Sequence, residues 1–468
     1  VLQAGGNIHV IPKYDIHVHD YTLKKSYKFK FNGGKMTVAG TKTVKEYFYG
    51  EDVVPTLYYS GGSFYTISDG KIHLLGAKIV ANDIYLVGQK GVKIEAAGYH
   101  QNKFVSFTES GTRIGYNAGH GQVSVSGELF KDISKLEYNA RLYEAAEIIA
   151  KNKLVIAAKD GKIEVISSSL KFAKAEITAK ELHFGTHKEQ YNVQRTTTNM
   201  QAGVHIGMQE DLSGTVRLAN HLIHKQGSHW LDVLDRALNA YQLGTQTMQI
   251  ARDIKSLVGS KSPADLKDNL QNLDCVRFGV WASGKVTTTN TDTIQNIAVD
   301  NMMIGGDIDI QVDGDAVIEG IICHVDNFKL KAESLRATAS RNTISHQTTS
   351  GEIELIIPIS GNVRGGLRAN ATTASTSAIS YHDNNMIMVK GLLDIDIAGD
   401  GRVSGIRMQA AEVKVRAKNL VVESLQDVIQ ERMQSMQMHI GFNNAGTCKE
   451  LGGRAEIASR DTALGQMR

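Results

Sequence analysis

Cysteine, proline, aromatic rings and net charge are all in short supply here, and each shortage closes off a class of protein. Three cysteines, Cys275, Cys323 and Cys448, stand far apart in 468 residues with no CxxC spacing, which argues against a disulfide framework. The scarcity suits a chain that crosses a membrane unfolded, because an uncrosslinked chain threads more easily. Four prolines and 6% aromatic residues leave few rigid breakers and suit tight, repetitive coils. With 52 basic against 49 acidic residues the formal charge is only +3, so no global field draws DNA or RNA and no nucleic-acid partner is expected. No apolar run approaches the ~20 residues that cross a bilayer as a helix. The chain opens on Val1 in mid-pattern, without the basic segment and apolar run of a signal peptide. It reads as an internal segment of something longer, with signals for secretion, anchoring or toxicity outside it.

What is abundant is glycine, 45 residues of it, with Val, Ile, Ala, Thr and Ser in short alternating bursts. Between residues 392 and 437, Leu393, Ile395 and Ile397, then Val403, then Val413 and Val415, then Leu420 and Val422 alternate with polar neighbours, and glycine corners such as 399–401 separate the bursts. A period of two is that of strands. Strands this short bury no face alone, but stacked coil on coil they share one apolar core. The expected fold is mainly β: a right-handed parallel β-solenoid (β-helix) with projecting β-hairpins and one α-helical insertion.

Four units share one grammar of a Gly- or Asp-cornered turn, short strands and a polar exit: residues 61–100, 154–190, 304–342 and the 392–437 stretch. With Ile72, Ile163, Val317 and Val403 taken as equivalent, the intervals are 91, 154 and 86 residues. Removing the 67 residues from 209 to 275 brings the long interval to 87, close to the others. Those 67 residues read as helical: Ser228 caps a run with Trp230, Leu231, Leu234, Leu238 and Tyr241 near helical spacing, and Ser262-Pro263 opens a second helix through Leu273. The organisation expected is therefore solenoid over 1–208, a helical hairpin over 209–275, solenoid again over 276–446, and a polar tail or further repeat over 447–468. The basic, aromatic stretch from Lys24 to Tyr49 suits a hairpin leaving the solenoid. The polar exits at 101–116, 186–200, 340–350 and 370–385 are expected to form further projecting hairpins, because GVHIGM, IELIIPI and MHIGF follow three of them.

The run Ala417, Asn419, Leu420, Val422, Glu423, Ser424, Leu425, Gln426, Asp427, followed by a Gln-, Arg- and Ser-rich segment, resembles the haemagglutinin repeat of filamentous-haemagglutinin-like exoproteins. The helical stretch followed by VRFGVWASGKVTTTNTDT and a GGDIDIQVDGD turn resembles the same family, so the likeness spans about residues 60 to 445. What the resemblance implies is a secreted or bacterial cell-surface protein, exported through a two-partner secretion outer-membrane transporter. It further implies an extended stalk that meets a host-cell or target-bacterium receptor, in adhesion or in contact-dependent toxin delivery with outer-membrane contact. Neither a cofactor nor an enzymatic activity is implied.

Residues that invite chemistry are weighed against this reading. Asp307, Asp309, Asp313 and Asp315 are the oxygen ligands that calcium prefers, yet the glycine-rich nonapeptide of stacked calcium turns is missing, and a solvated turn explains them. The pairs His17 and His19, and His221 and His224, lack a third ligand at metal-binding spacing. The stretch from Gly203 to Gly207 and the pair Gly365-Gly366 lack the lysine of a phosphate loop. No G-x-S-x-G elbow occurs, and Cys275 reads as a small buried hydrophobe. The alternative function is a β-helix polysaccharide lyase or hydrolase, which would gather carboxylates on neighbouring coils, with Glu319 or Asp326 beside Asp396 or Glu412. No catalytic, cofactor-binding or metal residue is assigned.

Overall fold

A computed structural model describes every residue except 33–34, 120–121, 211–275, 362, 364, 382–384, 443–447 and 465–468. Among the described residues there is no helix, and the strands fall into two sheets, one of parallel strands and one of ten long antiparallel strands. The helical hairpin expected over 209–275 lies outside the described residues, apart from Gln209 and Glu210, which end the strand His187–Glu210.

The parallel sheet is a stack of coils with three sides. Each coil pairs in parallel with the next about one coil length on: Leu57 with Lys78, Glu147 with Ser169, Met302 with Ile322, and Met386 with Arg407. Alternation turns every second side chain inward, and the register stacks those side chains in columns. One column runs Ile84, Leu154, Ala175, Ile308, Phe328, Leu393, and another runs Leu74, Ile94, Val165, Phe184, Ile318, Ala337, all buried. These columns make one continuous hydrophobic core. Ile72 and Ile163 do share a column, but its later members are Ala316 and Gly401, so the sequence anchors Val317 and Val403 sit one and two residues out of register. The single-residue slip matters more, because it turns Val317 outward while Ala316 faces the core.

After every second coil the chain leaves the stack in a long hairpin. The five hairpins are Lys13–Asn32 with Lys35–Val54, Ala97–Gly119 with Gln122–Glu144, His187–Glu210 with Val276–Val299, Arg341–Gly361 with Gly365–Tyr381, and Asp427–Phe442 with Cys448–Leu464. The expected exits are thus hairpin strands, and each hairpin also pairs edge to edge with the next. Spacing explains why. Two coils rise about 9.6 Å and a two-stranded hairpin is about 9.6 Å wide, so one hairpin per two coils tiles without gap or overlap. The same arithmetic shortens the rod: nine coils rise roughly 40 Å, below the 50–80 Å that follows if most of the chain is spent in coils.

The corner joining the two coils of a repeat is tight and left-handed. Gly76, Ser167, Gly320 and Gly405 occupy equivalent places there, with φ of 55°, 51°, 65° and 69°. Glycine adopts that conformation at little cost. At Gly320 a Cβ would also strike the Thr186 methyl and the Asp300 carboxylate. Ser167 is the exception, and its hydroxyl has other work.

Candidate functional site: the projecting sheet

The hairpins are anchored where they meet the coils. The Ser167 hydroxyl donates to Val299 O at 2.6 Å and accepts from the His187 amide at 2.6 Å, so one side chain holds both legs of the third hairpin. Asn301, buried at the re-entry, accepts from the Ser168 amide at 3.1 Å and donates to Gly185 O at 2.7 Å. Asn385 fills the same place after the fourth hairpin, accepting from the Ser340 amide and donating to Asp300 at 2.7 Å. Glu95 is buried at the base of the second hairpin, 2.8 Å from His73 Nε2, 2.6 Å from Lys93 Nζ and 3.7 Å from His187 Nε2. Burial works to raise its pKa, but these three neighbours outweigh it and hold the carboxyl well below the usual range. Tyr143 stacks on His187 at 4.3 Å and closes the cluster.

Beyond the anchors, the sheet has two unlike faces. On one, Trp281 is 1% exposed and lies parallel to His205 at 5.4 Å, with His205 Nε2 2.6 Å from Ser283 Oγ. Burial pushes the His205 pKa below the ordinary imidazole value. Beside them the Arg113 guanidinium sits 3.8 Å from the Phe130 ring centre, and Lys35 pairs with buried Glu128 at 2.9 Å.

The other face is divided along its strands. Near the coils it is polar, with rows such as Lys135, Thr196, Asn290, Thr349, Thr373 and Gln434 side by side. Towards the hairpin ends it becomes apolar. One row places Lys131, Met200, Val286, Ile353, Ala369 and Met438 together, and the next places Leu129, Ala202, Gly284, Leu355, Leu367 and Ile440 together. Val204, Ala282 and Ile357 follow in a further row, and Val125, Ile206 and Val280 in the last. Leu129, Ile206 and Ile353 are 63%, 63% and 57% exposed, values that water-facing aliphatic side chains seldom reach in a continuous block. The small residues Ala202 and Gly284 leave a shallow depression of about 370 Å³ between Leu129, Met200 and Val286. A neighbouring depression of about 550 Å³ continues from Leu129 over Thr112 and Ala39 to Lys28.

The residues singled out for chemistry are placed as follows. Asp307 accepts from Asn327 at 2.8 Å and Asp315 from Ser334 at 2.6 Å, side-chain ladders between adjacent coils. His17 lies 3.1 Å from Asp52 across the first hairpin, and His19 stacks on Phe48 at 5.3 Å. His221, His224 and Cys275 lie outside the described residues. Among the described residues no three His, Cys, Asp or Glu side chains converge as metal ligands. Residues 203–207 and Gly365-Gly366 are strand residues of the projecting sheet. Of the carboxylates, Asp326 is 2.7 Å from Lys390, Asp396 is 3.3 Å from Arg416 and Glu412 is 2.8 Å from Lys414. Asp326 and Glu412 are two coils apart, since the Gly391 amide bonds Asp326 O and the Glu412 amide bonds Gly391 O. Glu319 lies on a different side of the coil from Asp396. The structure brings none of these four together as a pair. Cys323 stands in a core column between Met303 and Ile387, and burial pushes its thiol up to about 12.

The anchors escaped the sequence reading although a signal was present. Asn-Met recurs at the re-entries after the third and fourth hairpins, Asn301-Met302 and Asn385-Met386, and Gly76, Gly320 and Gly405 mark the repeat more faithfully than any strand residue. The apolar half-face was visible only as the recurrence of GVHIGM, IELIIPI and MHIGF.

The hemagglutinin repeat family model matches residues 51–200 and 282–438, two blocks that each take in coils and projecting strands. Comparison with curated proteins and with solved structures returned no match.

Proposed function

Because the chain belongs to the hemagglutinin repeat family, we propose that it is a rod segment of a secreted or surface-displayed adhesin-type exoprotein, with the projecting sheet as its contact surface. The observation that carries this is the tiling of five hairpins into one uninterrupted sheet along the coil stack. The coils give length and the sheet gives area. The outer faces of the coils are occupied by short ion-pair ladders such as Arg402 with Glu423 at 2.8 Å and Lys153 with Glu176 at 2.8 Å, whereas the sheet keeps a broad face turned to solvent. The reading needs no cofactor and no catalytic step. It takes the coil sense as right-handed, the rule for parallel crossovers, and the segment from 211 to 275 as a helical hairpin. Export through a two-partner secretion transporter fits a chain with only three cysteines, of which buried Cys323 is free.

A second reading is favoured by the apolar end of the exposed face: delivery of a toxin, with that end meeting the outer membrane of a target bacterium. Binding of the fluorescently labelled chain to host-type cells and to intact bacteria separates the two. Saturable host-cell binding supports adhesion, and binding confined to bacteria supports delivery. Failure to bind either cell type would sink the contact-surface role and leave a spacer.

A further inference from the structure

We infer that the apolar half-face of the projecting sheet is a docking surface for a second copy of this chain, which packs sheet against sheet. Two rows of side chains, those of Met200 and of Ala202, cross six strands from Gln122–Glu144 to Asp427–Phe442, and two shorter rows, Val204 with Ala282 and Ile357 and Val125 with Ile206 and Val280, cross three strands each. At strand spacing of about 4.8 Å and about 6.8 Å between same-face residues, the block covers roughly 600 Å². That is the low end of what one partner contributes to a specific protein interface.

Three observations select a copy of the same chain as the occupant. The block contains no charged side chain inside its Lys28 and Lys131 border, so two identical blocks meet without like charges opposed at the centre. Its relief is self-complementary in kind: the depression at Ala202 and Gly284 lies beside the ridges of Ile206 and Ile353. A two-fold axis brings the ridge of one copy onto the depression of the other, and the reverse. The rows also step from hairpin to hairpin, about every 9.6 Å, across the second to fifth hairpins, and a second copy offers the same period. Contacts that repeat in step add as in multivalent binding. The product is a β-sandwich layer between two rods, with the coil stacks on the outside.

The test is sedimentation equilibrium of the 468-residue chain from about 1 to 50 μM. A dimer is expected, with Val204→Glu and Leu355→Glu together weakening association at least a hundredfold while the far-ultraviolet spectrum is unchanged. Thr196→Glu with Thr349→Glu, on the polar half of the same face, leaves the dimer intact. Should the glutamate pair fail to fold, Val204→Thr with Leu355→Thr keeps strand propensity and is expected to weaken association about tenfold. A monomer at 50 μM overturns the proposal. So does association that the block variants leave unchanged, since that assigns it to the coil ends. Flotation of a monomeric chain with anionic phosphatidylglycerol vesicles, abolished by the same variants, also overturns it and assigns the face to lipid. Cell binding by a chain that stays monomeric would leave the contact-surface reading standing while this one falls.

Discussion

Ser167 sets two physical effects against each other, and the geometry decides which one wins. Its φ of 51° costs a residue with a Cβ roughly 1 kcal/mol relative to glycine. Its hydroxyl satisfies the Val299 carbonyl and the His187 amide, and stranding two such partly buried groups costs about 1–2 kcal/mol each. Ser167→Ala loses both bonds and keeps the strain, so it should cost about 2–4 kcal/mol. Ser167→Gly loses both bonds but relieves the strain, so it should cost about 1–3 kcal/mol. The expected order of stability is therefore wild type, then Gly, then Ala, although the three equivalent corners are glycine. Urea denaturation gives the order, and amide exchange at His187 should accelerate in both variants. A Ser167→Gly protein as stable as wild type would refute the reasoning, because backbone strain would then outweigh the two hydrogen bonds.

Four other outcomes are expected. Asn301→Ala strands the Ser168 amide, while the Gly185 carbonyl keeps the Ser167 amide as a donor, and should cost about 1–3 kcal/mol, against less than about 0.5 kcal/mol for exposed Asn290→Ala, both read by urea midpoint. Glu95→Gln should lower stability by on the order of 2 kcal/mol near neutral pH. The folded-state pKa of Glu95 is depressed, so its contribution is full above the unfolded value near ~4.3 and fades as pH falls towards the folded value; urea midpoints of the two proteins should converge there. With Cys275 and Cys448 replaced by serine, Cys323 should resist a thiol reagent at pH 8 and react fully in denaturant, because its thiol is buried and pushed up to about 12. Gly320→Ala should lower the thermal midpoint, since the new methyl meets Thr186 and Asp300 at a left-handed φ of 65°.

Alternation made the coils legible. Ile72, Leu74, Ile84 and Leu86 point inward because a strand has a period of two, and nothing beyond the sequence is needed to see it. Register was less legible. Val317 is the more apolar of the pair Ala316 and Val317, and only the partner Leu182 one coil away says that Ala316 faces in. The hairpins were visible as polar exits, but their fusion into a sheet depends on matching two lengths in space, which no local pattern encodes. The anchors at Ser167, Asn301 and Glu95 were hidden for a related reason. Each is an ordinary surface residue type, and burial gives it a role only because residues some 20 to 130 positions away arrive beside it.

The tiling of hairpins on coils has a mechanical consequence. Tension applied along the rod is carried by hydrogen bonds that run along the axis, and at every coil-to-coil step the neighbouring sheet offers a second set of bonds at the same height. The two ladders are loaded in parallel, like the two rails of a track, and no level of the stack hangs from the coil ladder alone. Rupture at any level then requires both to part together, so a stalk of this kind should hold under a pull that would open a bare solenoid, and should give way in one step rather than coil by coil.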